Sequence, residues 1–412
     1  MISLLKKTVL FLIICVCTLI EPVFSQSTYQ FKGNRKREQI SFTKARGLIV
    51  MSTYINEKGP FNFILDSGVG IMIITDPKLK DALNLKYFRR IEISGLGEGK
   101  QIDAFTTPFL NVQIGSAVAI NTSAAVLDKD VFNLSGYAGM PIHGLIGYDF
   151  FASFLVRIYY DAGYFTLYNN QKSRLVRKGL KIPISIEQNK PYLNVLADQG
   201  ENKKMLLKLI IDTGAGHPFS LESYKNEAFP LNDKFMQANL GVGLAGNING
   251  FIGRVDRIKI GRYEIKNPIA SFPLYEDVAA KALSVPRNGS IGNQLLKRFE
   301  IIFDYGNSCI YLKPNGNFKE PFEHDMSGME LTSSGDNFTH YFVNRVEPHS
   351  PADEFGIQKN DELLSINFKL VSKMTMNEII EILKSRDGRN LYIEVGRGDE
   401  LIAGVFTLKR RI

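Results

Sequence analysis

The sequence predicts a mainly β protein made of two copies of one lobe, followed by a smaller module of different character. Three observations predict it. Short apolar runs alternate with polar residues and stop at Gly, Asn or Pro; a block of about 120 residues recurs at a near-constant offset; and the pattern changes near Glu323. The 412 residues leave room for two to three domains at about 150 residues each.

The chain opens with "MISLLKKTVLFLIICVCTLIEPVFSQS", in which Lys6 and Lys7 precede an apolar run over 8–20. Small Ser25 offers a cleavage site before Gln26. The run is shorter than the ~18–20 residues of a membrane span, and no later stretch is long enough. The expectation is a signal peptide over 1–25 and a secreted or periplasmic mature chain without a span; a retained anchor is the alternative. Cys15 and Cys17 fall in the leader, so Cys309 is left alone and no internal disulfide can form. It lies in the strand-like "NSCIYL" and reads as a small core residue. Five histidines without ligand spacing and one usable cysteine argue against a metal site, and no cofactor motif is present. Removing Lys6, Lys7 and Glu21 lowers the formal charge from +8 to +7, spread along the chain, so nucleic-acid binding is not expected.

The repeat is seen best at "NFILDSGVG" (62–70) and "KLIIDTGAG" (208–216), offset by 146. At the same offset "ITDPKLKDA" (74–82) meets "SLESYKNEA" (220–228), each opening with a candidate helix cap. "SGLGEG" (94–99) meets "LGVGLA" (240–245), and "VQIGS" (112–116) meets "IKIGR" (258–262). At 145, "HGLIGYDFF" (143–151) meets "NGSIGNQLL" (288–296), and after these "VRIYYDAGYFTLY" resembles "FEIIFDYGNSCIYL". Each half carries runs that fit half-buried strands, such as "FLNVQIGS" and "DRIKIGRYEI". A short apolar helix follows, bearing Phe150, Phe151, Phe154 and Leu155 in one half and Leu295, Leu296 and Phe299 in the other. The polar, basic stretch 169–179 reads as the linker, which puts the lobes at 26–170 and 171–318.

Taken alone, Asp-Thr-Gly after a strand is ordinary turn chemistry. Taken twice, it can put two carboxylates on a pseudo-two-fold axis. Asp66 and Asp212 would then share one proton, because like charges about 3 Å apart cannot both ionise. One could act as base on a water while the other donates to a carbonyl oxygen. Ser67 and Thr213 could bond across the axis, and Gly68 and Gly214 would let backbone approach the carboxylates.

With these motifs the sequence resembles the aspartic peptidases, in particular the retroviral-type (retropepsin-like) family, over about 49–170 and 190–314. The paired "DSG" and "DTGA" carry the resemblance, together with "LIG" (145–147) and "SIG" (290–292). Asp66 to Gly147 is 81 residues and Asp212 to Gly292 is 80. The resemblance implies two acid-protease β-barrel lobes, Asp66 and Asp212 as catalytic residues, and Gly147 and Gly292 as supports of the Asp turns. It also implies mobile flap hairpins at Gly95 and Gly97 and at Gly241 and Gly243, for which an ordinary hairpin turn is the alternative. Val69 and Ser290 depart from the family's pattern.

From Glu323 onward the sequence resembles a PDZ domain, carried by "VNRVEPHSPADEFGIQKNDELLSIN" and the amphipathic "MTMNEIIEILKSR" with Met376, Ile379, Ile380 and Leu383 on one stripe. The resemblance implies a β-sandwich with helices over 323–412. Such a domain adds a peptide strand to its sheet edge beside "GMEL", that is Gly328, Met329, Glu330 and Leu331. Glu330 stands where a glycine is usual and would repel an incoming carboxylate, so packing against the peptidase is the alternative to peptide capture. Together these readings predict a monomeric secreted aspartic endopeptidase acting on peptides or proteins, with a PDZ domain that holds substrate or partner peptides. A catalytically silent peptide-binding or envelope scaffold protein is the rival.

Overall fold

The computed structural model describes residues 28–86, 89–93, 102–169, 178–198, 204–231, 234–243, 246–276 and 285–412. The expected leader (1–25), most of the linker, Gly95 and Gly97 lie outside the described residues. The protein is mostly β, as two related lobes and a C-terminal module.

Each lobe is organised around one parallel strand pair. In the first, Gly144–Ile146 runs beside Lys58–Leu65, pairing Ile146 with Leu65. In the second, Gly289–Ile291 runs beside Lys204–Ile211, pairing Ile291 with Ile211. Both strands of each pair are flanked by others in a nine- or ten-stranded sheet, so their apolar residues face core on both sides. That accounts for the near-continuous apolar runs "FIL" and "LII" at this point rather than alternation. The Asp turns lie directly at the ends of these central strands.

A six-stranded sheet joins the lobes, in the order Leu180–Pro183, Cys309–Pro314, Phe299–Asp304, Leu155–Tyr159, Tyr164–Tyr168, Arg37–Ser41. The junction is Leu155–Tyr159 against Phe299–Asp304, antiparallel, with Ile158 opposite Ile301. Arg157 and Glu300 pair across it, with Arg157 Nε donating to Glu300 Oε1 at 2.7 Å. Cys309 is fully buried in this sheet. The short helices Tyr148–Ser153 and Asn293–Leu296 bury Phe150, Phe151, Leu295 and Leu296 above it. One continuous core includes residues of both lobes, from Ile49 to Leu312.

The repeat is not perfect. "ITDPKLKDA" forms the helix Leu79–Ala82, with no side-chain cap, whereas "SLESYKNEA" forms a hairpin pairing Ser223–Tyr224 with Glu227–Ala228. Lys225 and Asn226 both have positive φ, at 54° and 63°, the two-residue turn that matches strand twist. The helix cap expected in the second copy is therefore corrected to a turn.

The C-terminal module has its own core, including Met326, Leu331, Ile379 and Leu391, whereas Phe322 packs into the core of the lobes. Its sheet runs Met329–Ser334, His340–Val346, Glu362–Ile366, Asn390–Arg397, Glu400–Thr407, so Met329–Ser334 is an edge strand. The helix Met376–Leu383 starts with a capping box between Thr375 and Glu378 and buries Met376, Ile379 and Leu383. No helix among the described residues is long and apolar enough to cross a membrane.

Candidate active site

The two Asp turns meet. Ser67 N donates to Thr213 Oγ1 at 2.9 Å and Thr213 N donates to Ser67 Oγ at 3.0 Å. Each hydroxyl then crosses to the opposite strand: Ser67 Oγ to Ile211 O and Thr213 Oγ1 to Leu65 O, both at 2.7 Å. All four bonds are buried, where an exchange of partners with water is not available. Serine and threonine can close this ring because a hydroxyl donates and accepts at once. Residues 146 apart in sequence are thus locked side by side.

The grip sets the carboxylates. Gly68 N donates to Asp66 Oδ1 at 2.7 Å, and Gly214 N donates to Asp212 Oδ1 at 2.9 Å. The glycines leave room: a Cβ on Gly214 would lie 2.2 Å from Asp66 Cγ, and one on Gly68 3.0 Å from Asp212 Cγ. Asp66 is 8% exposed. Burial, and then the neighbouring Asp212 carboxylate, push Asp66 well above the ordinary carboxylate range.

Gly147 and Gly292 press on these turns from behind. Asp66 N donates to Ile146 O and Asp212 N to Ile291 O, at 2.8 and 2.9 Å. A Cβ on Gly147 would sit 2.3 Å from both Asp66 O and Val69 O; one on Gly292 would sit 2.3 Å from His217 O. Neither has positive φ (−138° and −109°), and these close backbone oxygens make space a requirement at both. Val69 is 8% exposed in a small apolar cluster with Ile73 and Leu127. Ser290 shares a 2.8 Å hydrogen bond with His217 Nε2, which gives that departure a structural reason.

Sequence reasoning missed several residues around the turns. Asn293 is fully buried; it donates to Thr213 O and accepts from Tyr160 Oη at 2.7 Å, bracing the second turn against the first lobe. Its signal was an amide following a glycine at the head of an apolar helix. Lys190 lies in the field of both carboxylates, its own proton affinity lowered by burial and then by Arg287. Nothing in the hairpin sequence "EQNKP" announced this. Among the candidate flap residues, Gly241 has φ 111° at a bulge in the hairpin of Phe235–Gly243 with Gly246–Arg254, and its N donates to Asn239 Oδ1 at 2.7 Å. Gly243 pairs with Gly246 near the hairpin's end.

Gly328, Met329, Glu330 and Leu331 face the two lobes across a cavity of about 340 Å³. Its other walls include Gly216, His217 and Pro218, which follow Asp212, and Gly241 of the hairpin. Among the described residues no cluster of metal-ligating side chains is present.

Residues 51–150 match the family described as aspartyl protease, and residues 342–397 match the PDZ domain. The chain carries an aspartyl-protease region and a PDZ domain. Among solved structures it is similar to the aspartic proteinase from Irpex lacteus, at 12% identity and a TM-score of 0.41, over 69% of this chain and 99% of that one. At that distance the likeness has no bearing on the chemistry. No curated protein matches the sequence.

Proposed function

We propose that the protein is a secreted, monomeric aspartic endopeptidase whose Asp66 and Asp212 activate a water against a peptide bond. The observation that carries this is the reciprocal Ser67–Thr213 lock, which holds two carboxylates together in a site where one must keep a proton. Asp66, the carboxyl held protonated, donates to the scissile carbonyl oxygen. Asp212 takes a proton from the water, whose oxygen attacks the carbonyl carbon and gives a gem-diol. Collapse of the gem-diol breaks the C–N bond, with a proton passed to the leaving amine, so water is consumed and two chain ends are produced. No covalent intermediate with the enzyme is formed.

Antiparallel pairing of Leu155–Tyr159 with Phe299–Asp304 inside one chain supports a monomer, since both Asp turns are supplied in cis. Gly241 and Gly243, with Gly95 and Gly97 of the first copy, are assigned as flaps on the strength of the repeat and of the open space around Gly241. Contact between the PDZ domain and a substrate or partner peptide belongs, in this reading, to the cavity beyond Gly216, along which a chain leaving the carboxylates would pass.

Digestion of a peptide library over acid to neutral pH tests the activity, alongside thermal stabilisation by a statine inhibitor. Cleavage with stabilisation is expected. Stabilisation without cleavage at any pH would favour a silent peptide binder, and the absence of both effects would remove the reading.

A further inference from the structure

A PDZ groove is built from a sheet edge, a helix beside it and an amide loop that receives a terminal carboxylate. In this protein the sheet edge and the helix bond to the first lobe, and the head of the amide loop bonds to the chain's own Asp325. The carboxylate Oδ1 of Asp325 accepts from Ser327 N at 2.9 Å, Ser327 Oγ at 2.7 Å and Gly328 N at 2.7 Å. The sheet edge is covered by the first lobe. Arg46 Nη2 donates to Leu331 O at 2.6 Å, and Ser333 Oγ donates to Gly136 O at 3.0 Å. The helix grips backbone: Asn377 Nδ2 donates to Lys44 O at 2.6 Å, and Arg46 N donates to Asn377 Oδ1 at 2.7 Å. Those two bonds are the donor and acceptor pair a strand offers its neighbour, supplied by one side-chain amide.

The gripped segment lies beside the turn that follows Asp212, across the same cavity. A Cβ on Gly216 would lie 3.4 Å from Arg46 O and 3.3 Å from Tyr137 Oη, and the Arg46 guanidinium lies 4.3 Å from the Tyr137 ring centroid. The connection to the PDZ domain is equally fixed. Arg298, 3% exposed, donates to Asn317 O and Pro321 O at 3.1 Å and lies 3.6 Å from the Phe322 ring centroid.

We propose that the ligand of this PDZ groove is the protein's own segment 44–46, and that through Arg46 the domain buttresses the turn carrying Asp212. The groove is then an internal receptor and does not capture chain termini. An incoming strand would have to displace Arg46 from Leu331, and an incoming carboxylate would find the Gly328 amide already bonded to Asp325.

The test uses the full chain and no turnover, so it is independent of whether Asp66 and Asp212 are catalytic. Hydrogen exchange is followed in wild type and in Asn377→Ala. Loss of two hydrogen bonds should speed exchange about tenfold or more at 44–47 and also at 212–217, with the strands at 299–314 unchanged. Faster exchange at 44–47 alone would overturn the buttress. Arg46→Gln, which keeps a polar side chain but is too short for the bond to Leu331, gives the same reading should Asn377→Ala fail to melt cooperatively. In parallel, peptides with free C-terminal carboxylates are titrated against wild type by fluorescence anisotropy. Binding that is lost on C-terminal amidation would overturn the internal-receptor assignment; no carboxylate-dependent binding is expected.

Discussion

The two Asp turns have one backbone and two environments. Gly68 and Gly214 make the same bond to their carboxylates, and Ser67 and Thr213 make mirror-related bonds to each other. Around that shared frame the lobes differ. The first turn ends in Val69, among apolar neighbours, while the second runs on through Ala215 to His217, paired with Ser290. Asp66 is buried and is pressed more closely by Gly214 than Asp212 is by Gly68. Duplication therefore supplies symmetry of position, and divergence of the surroundings leaves Asp66 the more deeply buried of the two carboxyls.

The closeness of Gly214 to Asp66 gives the largest way to break this comparison. Gly214→Ala drives a methyl to 2.2 Å from the Asp66 carboxylate, whereas Gly68→Ala meets Asp212 at 3.0 Å. Displacing a reacting group by about 1 Å costs on the order of a hundredfold in turnover. Gly214→Ala should show that loss and Gly68→Ala a several-fold smaller one. Equal kcat/KM losses would mean that the turns are equivalent.

A medium effect should appear in stability against pH. The native state holds the Asp66 proton above the range near pH 4 where an unfolded aspartate releases it. More protons are then bound by the native than by the unfolded chain, so stability falls as pH rises. The contribution is complete below about pH 4 and declines as pH climbs toward the native Asp66 value. Asp66→Asn should flatten that part of the urea midpoint profile. Parallel profiles for the two proteins would place the proton elsewhere.

The smallest effect concerns the second turn. Ser290→Ala removes the partner of His217 Nε2, a ring whose own protonation is already disfavoured by burial. The expected loss is about 1 kcal/mol of stability, read from the denaturation midpoint, with the pH profile of turnover unmoved. A shifted profile would bring His217 into the proton balance.

Much of this frame was legible because it rests on short-range pattern. Strand, Asp-Ser/Thr-Gly and apolar-apolar-Gly recur at 146 and 145, and those elements form the central strands and turns of each lobe. What stayed hidden depends on partners far apart in the chain. Lys225 and Asn226 make a hairpin where the sequence offered a helix cap, because two left-handed residues in a row are a backbone choice that "YKNE" does not announce. Asn293 and Lys190 matter through partners in the other lobe, and Arg298 through carbonyls about twenty residues further along the chain. Glu330 is the unusual residue of the amide loop, yet Asp325, five positions before it, is the carboxylate bonded to the Gly328 amide.

The most direct measurement is kcat/KM on one peptide substrate for wild type, Asp66→Asn and Asp212→Asn, with cooperative melting of all three as the control for folding. Neither carboxyl can serve as both acid and base, so each substitution should reduce kcat/KM by about 10⁴-fold or more while the protein stays folded. Wild-type-like cleavage by either variant would contradict the shared-proton mechanism.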